Sequence, residues 1–186
     1  RSETFGGRNG PHVELKLENV RLPYEYLLGE PGGGLKVVLR NLNYSRTLNA
    51  AMVIGMARAA FDESLAYVKN RKAFGQSVFD FQGIQWYFAE MLTDIDAARL
   101  LLYSAADALE AQREPERYAS EAKLFCCSVA NRVTSQAIQV CGAYGTAVNS
   151  PFNRYWRDAK VAEIGGGSVE ILKNTIGKYI GRMELG

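Results

Sequence analysis

Three stretches of the sequence group residues able to do chemistry. Asn70 to Gln82 reads NRKAFGQSVFDFQ, with two cations and an aromatic ahead of Gly75. Arg71 there can hold a phosphate through paired N–H donors. Arg71 and Lys72 equally suit a helix C-terminus, where carbonyls gather partial negative charge. Gln139 to Gly145 reads QVCGAYG, which taken alone is a helix C-cap and a turn. Gly165 to Gly167 form a glycine triplet ahead of an apolar periodic segment. Such a loop can present backbone N–H groups to a phosphate, and it can equally be a joint.

Other residue types narrow the chemistry. His12 is the single histidine of the chain. A Ser-His or Cys-His pair would have to use it, and no zinc or iron ligand set is expected. Cys126, Cys127 and Cys141 show no C-x-x-C spacing and no disulfide framework, and they read as small buried hydrophobes. A net charge of +2 over 186 residues points to neither nucleic acid nor a membrane surface. No apolar run approaches the roughly 20 residues that span a bilayer. The apolar fraction of 47% supplies a sizeable core.

Helices must position these groups. Val13, Leu15 and Leu17 alternate with polar residues, so the opening reads as a strand, followed by a Gly/Pro loop over residues 29–34. From Leu35 to Ala73 apolar residues recur at helical spacing: Leu35, Val38, Leu39, Leu42, Leu48, Met52, Met56, Ala59, Ala60 and Ser64. Gly55 inside this helix costs about 1 kcal/mol relative to Ala and suggests close approach of another helix. A second helix is expected over 82–112, with Ile84, Phe88, Met91, Leu92, Ile95, Ala98, Leu102 and Ala105 on one stripe. Pro115 marks a turn over 113–117. A third helix over 118–144 aligns Ala122, Phe125, Val129, Val133, Ala137 and Val140. A short element covers 151–164, opened by Pro151, and a last helix follows the triplet. Long helices with short turns predict an antiparallel bundle. The fold class is mainly α, preceded by a short β segment.

The three stretches taken together, in this order and with Arg157-Asp158-Ala159-Lys160 before the triplet, resemble the acyl-CoA dehydrogenase family. The opening LENVRLPYEYLLGEPGGGLKVVL looks like the end of that family's middle β domain entering its C-terminal helical domain. The resemblance implies residues 1–33 as the end of the β domain with a linker, and 34–186 as the helical bundle. It covers essentially the whole chain but not the family architecture, so a C-terminal piece or an isolated domain is expected.

The resemblance further implies FAD as cofactor and an acyl-CoA thioester as substrate, in fatty acid metabolism. A carboxylate takes the α proton while the β hydride passes to the flavin. A flavin ribityl hydroxyl and a backbone N–H hold the thioester oxygen. Arg71, Phe74 and Gln82 would contact FAD across a subunit interface, and Gln139, Gly142 and Ala143 would approach its adenosine and pyrophosphate end. Ser168 and Glu170 would touch the cofactor of their own subunit. Tyr44, Ser45, Arg46 and Gly167 would lie on the acyl-CoA side. A homo- or hetero-oligomer, a dimer or tetramer, is implied, with an electron-transfer flavoprotein as acceptor. The compartment is bacterial cytoplasm or mitochondrial matrix.

One departure stands out. The family turn Tyr-Glu-Gly-Thr carries the base as its Glu, and here the aligned residues are Gly165, Gly166, Gly167 and Ser168. Some relatives place a Glu directly before the family's Arg instead, and that position is Ser45. Neither position holds a carboxylate. Glu163 and Glu170 are the nearest acids in sequence, each a weak candidate for a displaced base. A phenol with an ordinary pKa about 10 makes Tyr44 a weaker one. Three readings stay open: a dehydrogenase with a base elsewhere, a non-catalytic or half-site subunit, and a flavin oxidase or monooxygenase.

Overall fold

A computed structural model describes residues 2–10 and 12–183. The outer limits of the two expected units, Arg1 and Gly186, lie outside the described residues. Four long helices carry the fold: α1 (Gly34–Asn70), α2 (Gln82–Glu110), α3 (Pro115–Cys141) and, after the single turn α4 (Ala143–Thr146), α5 (Pro151–Ile164). The shorter α6 (Val169–Ile180) follows the glycine triplet. Consecutive long helices run antiparallel because short links join them.

Helix α3 is the hub and packs against α1, α2, α5 and α6. Its buried face is built largely of small residues, among them Ala119, Ala122, Cys126, Cys127, Ala130 and Ala137. Small side chains let several helices approach one axis closely while keeping dense packing. Local signals fix the ends. Pro115 and Pro151 sit at the first helical positions, where the missing N–H costs nothing. Ser150 Oγ accepts from the Phe152 N–H (3.2 Å) and caps α5. Gly142, at φ 57°, closes α3.

The bundle agrees with the sequence reading, and several details correct it. Residues 13–17 join no ladder, and Leu15 and Leu17 are exposed; among the described residues of the opening segment the one pairing is the antiparallel bridge of Ser2 with His12. Alternation supplies a strand's pattern but not its hydrogen-bonding partner. The β pairing lies instead at β1 (Lys72–Ala73) and β2 (Gln76–Ser77), so α1 stops at Asn70 rather than Ala73. Phe74 and Gly75 both take positive φ (52° and 84°), as a two-residue hairpin turn requires. The Ser77 hydroxyl donates to the Val68 and Lys69 carbonyls, both at 3.1 Å, and closes the end of α1.

The apolar face of α1 is also different from the expected one. The buried stripe is Ala50, Val53, Ile54, Ala57, Ala60, Phe61, Ser64 and Val68, whereas Leu35, Val38, Leu39, Leu48 and Met52 are exposed. Helix α1 is apolar on two sides, and its smaller side chains face α3. Leu92 and Phe125, at the edges of their stripes, are exposed as well. An added Cβ at Gly55 would meet nothing within 4 Å, so no helix approaches it. The opening segment docks by close backbone contact. A Cβ at Gly6 would fall 2.4 Å from the Arg157 carbonyl oxygen, and the Gly7 N–H donates to Asp158 Oδ1 (2.7 Å).

Candidate functional site

The glycine triplet joins the end of α5 to the start of α6. Gly165 keeps ordinary extended backbone (φ −64°, ψ 141°). Gly166 and Gly167 do not, at φ 72° and 114°, a region that L side chains enter only with strain. Ser168 is the N-cap of α6 by position, yet its side chain makes no capping bond to the helix.

Two cations lie beneath this turn. Lys123 reaches from α3 and is fully buried. Its Nζ donates to the Gly167 carbonyl (2.8 Å) and the Glu163 carbonyl (3.1 Å), pinning both sides of the turn. Burial pulls the Lys123 pKa down; Cys127 opposes that shift, Arg46 adds to it and Glu163 opposes it. Arg46, from α1, is 6% exposed and donates through Nη1 to Ser120 Oγ (3.1 Å). Its Nε is buried without a hydrogen-bond partner. Burial lowers the Arg46 pKa, and Glu116 offsets part of that. Among the described residues neither cation forms an ion pair with a carboxylate.

The two positions singled out for a base meet at this spot. A Cβ built on Gly166 would lie 4.0 Å from Ser45 Oγ and 3.8 Å from Lys123 Cε. A Cβ on Gly167 would lie 3.6 Å from Arg46 Nη2. Ser45 and Gly166 are both exposed, so the two positions open to the same side. Tyr44 is exposed on the neighbouring surface of α1. The two remaining acids are already engaged. Glu163 pairs with Lys160. The nearby Ser168 hydroxyl and its own backbone N–H hold the Glu170 carboxyl below the usual range and weaken it as a base.

The remaining sequence-selected residues lie at the other end of the bundle. Arg71, Phe74 and Gln82 surround the hairpin, and all three are exposed. Phe74 is 97% exposed at the hairpin tip. Gln139, Gly142 and Ala143 are exposed at the end of α3, and Tyr67 stacks on Tyr144 (4.7 Å) to join that end to α1. Twenty-five residues separate Arg46 from Arg71 in the sequence. At 1.5 Å per residue the two ends stand about 35–40 Å apart along α1. The structure brings together Ser45, Arg46, Gly166, Gly167 and Ser168, and keeps them apart from Arg71, Phe74, Gln82, Gln139, Gly142 and Ala143.

Sequence reasoning missed Lys123 and Ser120. The available signal was a lysine in a stripe of small residues, Ala119, Lys123, Cys126 or Cys127, then Ala130, at spacings of three and four. The cysteines are buried and free, as expected. Burial raises the thiols to about 12 for Cys126 and Cys141 and about 11 for Cys127, so none is a ready nucleophile. Among the described residues no three His, Cys, Asp or Glu side chains gather as a metal site. No helix there is long and apolar enough to cross a membrane.

Known proteins share both the sequence and the shape. The acyl-CoA dehydrogenase C-terminal domain matches residues 32–181. The mitochondrial short/branched chain specific acyl-CoA dehydrogenase of Bos taurus is 43% identical over 176 residues, covering 95% of this chain and 41% of that protein. A chain solved in work on the electron transferring flavoprotein of Acidaminococcus fermentans superposes with a TM-score of 0.94 at 35% identity, over 98% of this chain and 48% of that one. The prolyl acyl carrier protein oxidase AnaB does so with a TM-score of 0.91 at 29% identity, over 97% and 48%. The chain thus spans less than half the length of these relatives. With the matched domain covering nearly all of the bundle, the chain belongs to the acyl-CoA dehydrogenase family.

Proposed function

We propose that this chain is the C-terminal part of an FAD-dependent oxidoreductase acting on the CH–CH bond of an acyl-CoA thioester, with Gly166 in the usual place of the base. The observation that carries this reading is the convergence of Ser45, Arg46 and Gly166. They come from two stretches more than a hundred residues apart, of which the family resemblance assigns Ser45 and Arg46 to the acyl-CoA side and Gly166 to the position of the base. Residues 34–186 would form the bundle domain, and residues 1–33 would end the β domain.

The residues present fit a flavin dinucleotide. Phe74 stands clear on a hairpin tip, Arg71 is an exposed cation without an ion pair among the described residues, and Gly142 has open space where a Cβ would stand. When bound, FAD would supply the hydride acceptor. Arg71, Phe74, Gln82, Gln139, Gly142 and Ala143 would hold the cofactor of a neighbouring copy, and Ser168 and Glu170 would hold their own. The separation of the two groups along the bundle supports an oligomer, because one cofactor cannot serve both ends. The turn's backbone N–H groups and Arg46 would orient the thioester and polarise its carbonyl. Gly166 offers no side chain to accept the α proton, and the Ser45 hydroxyl, without a base beside it, is a poor acceptor.

That missing carboxylate favours a second reading, a half-site subunit whose partner chain carries complete sites. Similarity to AnaB supports a third, a flavin oxidase. An electron-transfer flavoprotein as acceptor and a bacterial cytoplasmic or mitochondrial matrix setting accompany the first reading. Anaerobic titration of the full-length, FAD-loaded protein with acyl-CoA thioesters tests all three. Bleaching of the flavin band supports the dehydrogenase. Binding without bleaching supports the half-site subunit, and oxygen consumption with a non-CoA substrate supports the oxidase. No binding of FAD or of any thioester sinks the proposal.

A further inference from the structure

Helix α3 buries two polar side chains at the turn end, Ser120 and Lys123, three residues apart. That spacing puts them on one helix face. Ser120 Oγ accepts from Arg46 Nη1 (3.1 Å), and its hydroxyl donates to the Glu116 carbonyl (2.6 Å). Lys123 Nζ donates to the Gly167 carbonyl (2.8 Å) and the Glu163 carbonyl (3.1 Å). One face of the hub helix therefore holds both halves of the site, Arg46 of α1 and the turn between α5 and α6.

The bonds of Lys123 set the direction of that turn. The Glu163 carbonyl is one of the last four of α5, which no further helical turn can bond. Lys123 takes it up, so α5 ends here without a buried orphan. The Gly167 carbonyl belongs to the peptide unit that carries the Ser168 N–H. A planar trans peptide holds its C=O and its N–H on opposite edges. With the carbonyl drawn toward Lys123, the Ser168 N–H points away from it. A carbonyl engaged by a donor also polarises its peptide unit and strengthens the N–H on the other edge. Among the described residues no acceptor takes up the N–H of Gly166, Gly167 or Ser168. Arg46 lies against the same turn. A Cβ on Gly167 would stand 3.6 Å from its Nη2 and 3.8 Å from its Nε, and that Nε is buried without a partner.

We propose that Lys123 is the positioning residue of this site: by drawing the Glu163 and Gly167 carbonyls inward, it turns the N–H edge of Gly166 to Ser168 outward, where that edge and Arg46 meet the thioester carbonyl. The proposal rests on the acyl-CoA reading above. Lys123 is fully buried, so it acts through the turn rather than on the ligand.

Isotope-edited infrared spectra test this, with butyryl-CoA and octanoyl-CoA labelled with carbon-13 at the thioester carbonyl and bound to the full-length, FAD-loaded protein. The carbonyl band is expected at lower wavenumber than in free solution, because donors polarise it. Lys123→Met fills a similar volume with no donor. It is expected to keep the dissociation constant within about tenfold and to lose most of the band displacement. Lys123→Gln keeps two N–H donors, one bond shorter, and is expected to restore part of it. A lysine that only stabilised the fold would lower the unfolding midpoint in both variants and leave the band of the folded protein in place. That result overturns the proposal and leaves the acyl-CoA reading standing. A folded, FAD-loaded Lys123→Met that binds neither thioester also overturns it, because Lys123 would then be needed for binding itself. If Lys123→Met fails to fold, amide exchange in the unaltered protein decides. The N–H groups of Gly166, Gly167 and Ser168 are expected to exchange freely without ligand and to slow by about tenfold or more with thioester bound. Slow exchange before binding, or no slowing after it, overturns the proposal. An unaltered protein that binds neither thioester overturns the acyl-CoA reading, and the proposal with it.

Discussion

The two ends of the bundle solve opposite problems. At the hairpin end Arg71, Phe74, Gln82 and Gln139 are all exposed, and Phe74 projects almost completely into solvent. At the turn end the charged groups are hidden, with Arg46 and Lys123 beneath three glycines. An exposed aromatic on a two-residue turn does little for the fold that carries it, whereas a buried lysine bonded to two carbonyls fixes the turn above it. The contrast teaches that function-related residues can be free of the fold or built into it, and that substitution separates the two cases.

The largest effect is expected where the turn end is given the carboxylate that the proposed function lacks. Ser45→Glu places a carboxylate on ordinary helical backbone, beside the position Gly166 occupies. A positioned base contributes about 10²–10⁴-fold. Flavin bleaching by a neutral acyl-CoA should therefore accelerate by that order. Gly166→Glu should gain less, because φ 72° strains any L residue. Equal gains from both variants would break the argument that the turn has become specific to glycine.

Gly145→Ala probes the hairpin end, where the backbone itself is packed. An added Cβ would stand 2.5 Å from the Ile138 carbonyl oxygen, and both partners are backbone. A loss of about 2–3 kcal/mol is expected in denaturant unfolding. Phe74→Ala at the same end should change stability by less than about 0.5 kcal/mol, as exposed substitutions do. The same change should lower FAD retention, measured by the ratio of flavin to protein absorbance. A large loss of stability with full FAD retention would reverse the assignment of this end. Gly55→Ala, on exposed helix between the two ends, should stabilise by about 0.5–1 kcal/mol.

The smallest effect is electrostatic. Burial raises the Cys126 and Cys141 thiols to about 12 and Cys127 to about 11, from an ordinary 9.0. A raised thiol pKa means that the folded state keeps its proton while the unfolded chain ionises. Their contribution to stability is therefore complete below about pH 9 and is lost as pH rises toward 11 and 12. Alkylation of the native protein at pH 8 should be slow at all three cysteines and rapid after unfolding.

Much of the architecture was legible because punctuation and periodicity are local. Pro115, Pro151 and Gly142 marked helix ends within a few residues, and the apolar spacing expected over 82–112 and 118–144 marked the helices that form over Gln82–Glu110 and Pro115–Cys141. The strand expected at Val13 to Leu17 failed because a pattern of alternation cannot create a neighbour to pair with. The buried face of α1 was misjudged because Leu48 and Met52 form an apolar stripe as regular as that of Ala50 and Val53. Only packing against α3 chooses between them.

By itself, the sequence determined the helical order and the family's motif positions. It also determined the absence of a carboxylate at both Gly166 and Ser45. Only the tertiary structure decided that these two positions, far apart in the chain, share one space. It alone placed Lys123 beneath them, because a lysine's burial depends on which carbonyls its Nζ can reach. It also decided that Gly166 and Gly167 adopt left-handed backbone, a conformation set by the joining of α5 to α6 over Lys123 rather than by three glycines in a row.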